Sequence, residues 1–290
     1  MYICFRAVEL ADSAIRSTGR KVEKENMNGN ANDRCREFYI EHDSIPLHAK
    51  LDFPVKVSAQ DVEDGRKCPL VIVQHGFTGH MEERHIIGVQ RALNEAGFAT
   101  LRTELYGHGK SGGTFRDHTL FKWLSEMLTI VDYAKNLDFV SDLFLCGHSQ
   151  GGLLMMLTGA MERDAVRAIL ALSPAVMIPE EARRGVFLGN TFDPRHVPDM
   201  LVREDGSLLS GNCVRAAQLI RVEPAIEAFH KSVLIIHGEE DEAVPLRSAL
   251  DAASRYEDVR MVVIPGDNHC YDNHLDRVKA EIREFMKRFA

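Results

Sequence analysis

The sequence predicts an α/β protein with a mainly parallel sheet, helices on both faces and a small cap inserted late in the chain. Three observations carry this. Short apolar runs alternate with helix-like segments from Pro69 onward, the rhythm of strands joined by crossover helices. Several runs are continuous rather than alternating, as in strands buried on both faces. Between Pro174 and Lys231 the rhythm breaks at Pro179, Pro194, Pro198 and Pro224.

In chain order, Ser17 to Arg36 is polar, with almost nothing to bury, so residues 1–36 are read as a disordered leader, with Met1 and Met27 as alternative starts. The folded domain is expected over residues 37–290. Phe38-Tyr39-Ile40 and Ile45 to Leu51 read as two strands joined by the polar turn His42-Asp43-Ser44. Val57 to Lys67 reads as a charged loop, and Pro69-Leu70-Val71-Ile72-Val73 as a buried strand ending in His75-Gly76-Phe77-Thr78-Gly79. A helix follows around Glu82 to Glu95, stopped by Gly97 as a C-cap. Phe98 to Leu105 is the next strand, Leu120 to Leu137 a helix, Leu143 to Cys146 a strand and Leu153 to Met161 a helix. Ala168 to Leu172, Val233 to Ile236 and Met261 to Ile264 complete the strands, and the last two each precede a helix-like segment. The stretch from about 175 to 231, with a hairpin at Asp205-Gly206, is the cap.

Bulk properties narrow the function. The net charge is −8, from 35 basic and 43 acidic residues, without charged blocks. This argues against a nucleic-acid binder, which needs a basic face, and gives no support for docking on an anionic membrane. Six cysteines lie singly with no C-x-x-C pair, arguing against a zinc or redox motif and for free thiols in a reducing cytoplasm. Met1 to Leu10 lacks a signal-peptide core, and no stretch is long enough to span a bilayer.

Gly147-His148-Ser149-Gln150-Gly151-Gly152 fits G-x-S-x-G directly after a buried strand and before a helix. A serine on such a turn projects its hydroxyl above the sheet edge, and the following helix aims unpaired N–H groups and its positive dipole end at the reaction centre. The plain alternative is a glycine-rich turn packing a helix on a strand; the strand–turn–helix context favours a nucleophile. Ser149 then needs a base.

An acid and a histidine are expected after later strands. Of thirteen histidines, His42, His48, His196 and His230 lie outside strand-end loops and read as surface or structural. His80 and His85 flank Glu82-Glu83-Arg84 without H-E-x-x-H spacing, against a metal site. His269, in the loop after Ile264, is the chosen base, with His274 its rival. The acid falls among Glu239, Glu240, Asp241 and Glu242. One oxyanion donor is the backbone N–H of Gln150, just after the nucleophile; the other is assigned to Phe77, which also suits a core aromatic. Gly107-His108-Gly109-Lys110-Ser111-Gly112 lacks phosphate-loop spacing and reads as a tight turn. Cys270 reads as structural.

Together these motifs resemble the α/β-hydrolase superfamily over Phe38 to Phe289. His237-Gly238-Glu239-Glu240-Asp241-Glu242-Ala243-Val244-Pro245 is similar to its H-G-x-x-D-x-x-V-P stretch, which selects Asp241 as the acid. Finer matches resemble the bacterial feruloyl (cinnamoyl) esterase group: His75 to Gly79, Gly147 to Gly152, Phe192-Asp193-Pro194-Arg195-His196-Val197-Pro198-Asp199 and Arg215-Ala216-Ala217-Gln218-Leu219. The resemblance implies a cap that holds an aromatic acyl group above the serine. Members gripping a phenolic ring tend to carry tyrosine where this chain has Cys213, and other polar groups at Glu181 and Leu188.

The expected function is a serine carboxylic ester hydrolase, working through an acyl-enzyme on small acyl or cinnamoyl-type esters, with no metal or organic cofactor. Its partner is a small-molecule ester. An aminopeptidase or amide hydrolase with the same triad would need cap carboxylates to hold an amine, and a lipase a more apolar lid. A non-catalytic binding protein of this fold would be marked by a missing triad member.

Overall fold

The computed structural model describes residues 34–57 and 59–290; the leader, as far as residue 33, lies outside the described residues. Strand β1 (Cys35–His42) starts slightly before Glu37 and pairs antiparallel with β2 (Ile45–Asp52) along their full lengths. Asp43 and Ser44 between them have φ of 46° and 65°, as a tight two-residue hairpin demands. The stretch read as a charged loop contains a five-residue helix, α1 (Ala59–Glu63), ended by Gly65 at φ 93°.

The alternating core follows as β3 (Cys68–Gln74), α2 (Arg84–Glu95), β4 (Ala99–Thr103), α3 (Leu120–Lys135), β5 (Val140–His148), α4 (Gln150–Met161) and β6 (Val166–Leu172). The cap contributes α5 (Ile178–Arg184), β7 (Val186–Phe187), β8 (Asn190–Thr191), β9 (Met200–Val202), β10 (Leu208–Ser210), α6 (Asn212–Leu219) and α7 (Glu223–Ala228). The chain closes with β11 (Ser232–Gly238), α8 (Leu246–Ala253), β12 (Val259–Ile264) and α9 (Leu275–Met286). The main sheet has the order β1-β2-β4-β3-β5-β6-β11-β12. It is parallel from β4 to β12 and antiparallel at the β1–β2–β4 edge.

Two-residue periodicity splits each apolar strand between two cores. Leu70 and Ile72 face Trp123, Met127, Leu153 and Met156 of α3 and α4. Val71 and Val73 face Ile86 and Val89 of α2 and Val278 and Ile282 of α9. Both faces being covered explains why the strands read as unbroken apolar runs. Helix α4 is buried from Gln150 through Ala160, so it is apolar all round. Full burial of Leu153, Leu154, Met155 and Met156 contributes about 1.5–3 kcal/mol each, fixing the platform from which Ser149 projects. Thr119 caps α3 by accepting from Lys122 N.

The loops after β3, β5, β11 and β12 all leave from the C-terminal ends of parallel strands, where open α/β sheets place their sites. In the cap, β9 and β10 form a hairpin turning at Gly206 (φ 80°), and β10 lies against the 3₁₀ turn Phe115–Asp117. No helix among the described residues is long and apolar enough to cross a membrane.

Candidate active site

Ser149 stands between β5 and α4 with φ 57° and ψ −122°, a conformation that a non-glycine residue holds only where its surroundings impose it. The imposition is visible in the contacts. Ser149 N donates to Leu172 O (2.8 Å), and Ser149 O accepts from Leu153 N (3.1 Å) and Ala175 N (3.0 Å). The motif glycines serve close approach: a Cβ on Gly147 would lie 2.3 Å from Gly151 O, and one on Gly151 would lie 2.4 Å from His75 O. One on Gly76 would lie 2.9 Å from the Ser149 Cβ, so the loop after β3 adjoins the nucleophile turn. Ser149 itself remains partly exposed.

Asp241 and His269 meet directly. His269 Nδ1 donates to Asp241 Oδ2 at 2.7 Å, the carboxylate fully buried and the imidazole 20% exposed. A carboxylate only accepts, so Nδ1 carries the proton and Nε2 keeps the lone pair a base needs. The other oxygen, Oδ1, accepts from Ala243 N (3.0 Å) and Val244 N (2.8 Å). Burial pushes the Asp241 carboxyl upward, but the His269 hydrogen bond and charge, with the Val244 amide, outweigh it and hold it below its ordinary value. Glu239, Glu240, Glu242 and His274 are exposed.

The turn carrying His269 is fastened from several sides. The buried Asp267 carboxylate accepts from Asn268 N, Asn273 N and His274 N (3.0–3.1 Å). Tyr271, at φ 58°, donates its hydroxyl to Ile236 O (2.9 Å) and lies 3.0 Å from Ser173 Oγ. His148 Nε2 donates to His269 O (2.8 Å) with the two rings 4.6 Å apart, tying the residue before Ser149 to His269. His148 Nδ1 is then left to accept from His85 Nε2 (3.1 Å). Burial holds His85 at about 4 and His148 well below the usual histidine range, so both are neutral.

The two assigned oxyanion residues converge on one side chain. The Gln150 side-chain amide donates to His118 Nε2 (2.8 Å), and the Phe77 ring lies 5.4 Å from the His118 ring. Thr78 N donates to His108 Nε2 (3.2 Å) and Gly79 N to Gly76 O (3.1 Å); the Phe77 N–H has no acceptor among the described residues. His118 is buried and neutral for the same reason as His148. Beside this loop a cleft of about 530 Å³ runs between Thr78, His108 and Phe115 and the cap residues Arg203, Asp205 and Ser207. The Arg203 guanidinium sits 5.3 Å from the Phe77 ring centre and 5.4 Å from that of Phe115.

Sequence reasoning missed His85, His118, His148, Asp267 and Tyr271 as parts of this arrangement. Their partners are distant in sequence, and none stands in a motif that names its role; only His148, inside G-x-S-x-G, had a local pointer. Cys213, at the position of the family tyrosine, is 1% exposed within α6.

A mainly parallel sheet with helices on both faces, a strained serine turn after a central strand, and a hydrogen-bonded Asp–His pair after two later strands define the α/β-hydrolase fold. A family model described as serine aminopeptidase, S33, matches residues 65–220, more than half the chain, and the chain belongs to that family. It is 54% identical to Est1E from Butyrivibrio proteoclasticus, whose structure has ferulic acid bound; the match covers 87% of this chain and 98% of that one, with a TM-score of 0.82. It is 22% identical over 225 residues to the human mitochondrial palmitoyl-protein thioesterase ABHD10, covering 75% of this chain and 70% of that protein. The Pongo abelii counterpart matches over 65% of this chain, which spans 62% of that relative's length. The chain is thus a serine hydrolase of the esterase type.

Proposed function

We propose that the chain hydrolyses carboxylic esters with small or aromatic, cinnamoyl-type acyl groups through an acyl-enzyme on Ser149. The observation that carries the reading is the 2.7 Å His269–Asp241 hydrogen bond between the loops that follow β11 and β12. Ser149 Oγ attacks the ester carbonyl while His269 Nε2 takes its proton. Asp241 holds the imidazole in the reactive tautomer and balances the imidazolium that forms. The backbone N–H groups of Phe77 and Gln150 receive the developing oxyanion. His269 then passes the proton to the leaving alkoxide, the alcohol departs, and water repeats the steps on the acyl-serine to release the acid.

Two observations support an ester over an N-terminal amine as the recognised group. Four cap carboxylates, Glu180, Asp193, Asp199 and Asp205, are each ion-paired with a cap arginine, so these four are not poised to hold a substrate ammonium. The cleft beside the oxyanion loop is edged by Phe115 with Arg203 above it, a surface suited to a planar acyl group. The 54% identical Est1E with ferulic acid bound points the same way. With Cys213 buried in α6, the proposed site holds the aromatic acyl chain by its ring face rather than through a partner for its phenol at that position.

The test is hydrolysis of p-nitrophenyl acetate, butyrate and laurate and of methyl ferulate, by wild type and Ser149→Ala. Wild type is expected to turn over the short esters and methyl ferulate, with kcat falling on the order of a million-fold in the variant. Turnover of short esters alone would discard the aromatic acyl group, and equal inertness of both proteins would sink the ester reading.

A further inference from the structure

Three side chains from separate elements meet one residue away from two members of the proposed triad. His85 on α2, His148 at the end of β5 and Cys270 after His269 bring Nε2, Nδ1 and Sγ to within 4.8 Å of one another. The two nitrogens are 3.1 Å apart, and the two rings are 4.2 Å apart. His85 and His148 are buried, while Cys270 is half-buried.

The hydrogen bonding fixes which atoms are ligands. His148 commits its Nε2–H to the His269 carbonyl (2.8 Å), so its Nδ1 lone pair points at His85. This is the arrangement by which a second partner orients a metal-binding imidazole. The geometry points to a site for a thiophilic dication of the zinc type, held by His85 Nε2, His148 Nδ1 and the Cys270 thiolate, whose occupancy slows ester hydrolysis.

Tetrahedral zinc, with metal–nitrogen bonds of about 2.0–2.1 Å and a metal–sulfur bond of about 2.3 Å, sets ligand atoms roughly 3.3–3.6 Å apart. The nitrogen pair already stands close to that spacing, and the sulfur lies within 4.8 Å of both nitrogens. The fourth position falls to water, as in an open zinc site. On binding, the Cys270 thiol releases its proton to solvent and His85 moves its proton from Nε2 to Nδ1; no electron is transferred.

The consequence for catalysis is electrostatic. A dication with one thiolate leaves a net positive charge one imidazole ring from His269, since the His148 and His269 rings are 4.6 Å apart. His269 must itself become cationic as Ser149 attacks, so occupancy lowers kcat on the order of tenfold or more. This inhibition rests on the proposed triad; the binding does not.

The experiment is therefore read twice. Cobalt(II) chloride added to wild type without substrate should give a thiolate-to-cobalt charge-transfer band in the near ultraviolet, absent in Cys270→Ala and His85→Ala. Zinc chloride titrated during p-nitrophenyl acetate hydrolysis should inhibit wild type, reversibly by chelator, and should leave Cys270→Ala uninhibited. No cobalt–thiolate band in folded wild type would overturn the site. Equal zinc inhibition of wild type and Cys270→Ala would overturn the inhibition by this site, placing the inhibitory ion on another ligand such as His269. A cobalt band in an enzyme inert on every ester would keep the site and count against the triad alone.

Discussion

Replacing Asp241 by asparagine tests the acid–base assignment more sharply than truncation, because the surroundings dictate how the new amide must lie. Oδ1 accepts from two backbone donors, Ala243 N at 3.0 Å and Val244 N at 2.8 Å, and the carboxylate is wholly buried. In Asp241→Asn the amide oxygen must keep that place, since an NH2 there would face two N–H groups in a dry site. The NH2 therefore occupies the Oδ2 position, 2.7 Å from His269 Nδ1, and donates to it. His269 is driven to the tautomer protonated on Nε2, which has no lone pair for the Ser149 hydroxyl. The expected loss is about 10⁴-fold in kcat, or roughly 5 kcal/mol of transition-state stabilisation. The assay is steady-state hydrolysis of p-nitrophenyl acetate near neutral pH, with circular dichroism to establish that the variant is folded. The exposed Glu240→Gln serves as control and should be unchanged. A folded Asp241→Asn enzyme within about tenfold of wild type would refute the assignment of Asp241 as the orienting acid.

Two further outcomes follow from buried side chains around the site. His118→Ala removes the ring that meets both the Gln150 amide and Phe77, so kcat should fall by about tenfold or more with KM little changed. His118→Asn, which retains an acceptor, should recover part of the loss, and an unaltered kcat in His118→Ala would dismiss the positioning role. Glu126 is 1% exposed, accepts from Tyr106 N (2.9 Å), and is raised to about 7, chiefly by burial. Its folded value lies above its unfolded one, so its contribution is fully present below about pH 4.5 and is lost as pH rises to about 7. Glu126→Gln, which keeps the acceptor, should stabilise the protein by on the order of 2–3 kcal/mol at pH 8 and much less at pH 5. Urea melts at the two pH values decide it, and equal shifts at both would show that Glu126 ionisation is not the cause.

Much of the fold was legible because burial on both faces leaves a mark in the sequence. Runs such as Pro69 to Val73 and Leu143 to Cys146 fall within β3 and β5, and their continuity is the direct result of helices on each side. Boundaries were less legible. Arg36 and Glu37 are polar, so β1 was read short; it sits on the outer edge of the sheet, where one face meets water. Helix α1 was missed because five residues are too few to display a period. At the site, Ser149, Asp241 and His269 were singled out from strings at strand ends, Asp241 through its resemblance to H-G-x-x-D-x-x-V-P, and the structure brings Asp241 and His269 together. His85, His148 and Cys270 were not legible as a group. His85 and His148 are 63 positions apart, and spacing rules built for one helix, such as H-E-x-x-H, do not see a cluster assembled by the sheet. His118 was invisible for the same reason, since its role comes from Gln150, 32 positions away.

The buried histidines share a physical logic. His75, His85, His108, His118, His148 and His237 are all held below the usual histidine range, with burial the largest cause in each. A neutral imidazole is at once a donor and an acceptor, and two of these rings, His148 and His108, use both ends. His148 donates to His269 O while accepting from His85, and His108 lies 3.0 Å from Tyr106 O while accepting from Thr78 N. A lysine or arginine in these places would donate as well but would carry a fixed positive charge beside His269, opposing the imidazolium that ester cleavage requires. A serine or asparagine would avoid the charge but span less distance and fill less of the aromatic packing around Trp123, which His75, His108 and His118 all meet edge-to-face. Neutral histidine meets both demands, and burial is what keeps it neutral. The same burial makes the arrangement acid-sensitive: the unfolded chain binds protons on these rings below about pH 6.5, while the folded one resists until nearer 4 at His85. These rings together disfavour folding as pH falls below about 6.5, so the scaffold that keeps the proposed base free of competing charge loses stability in acid.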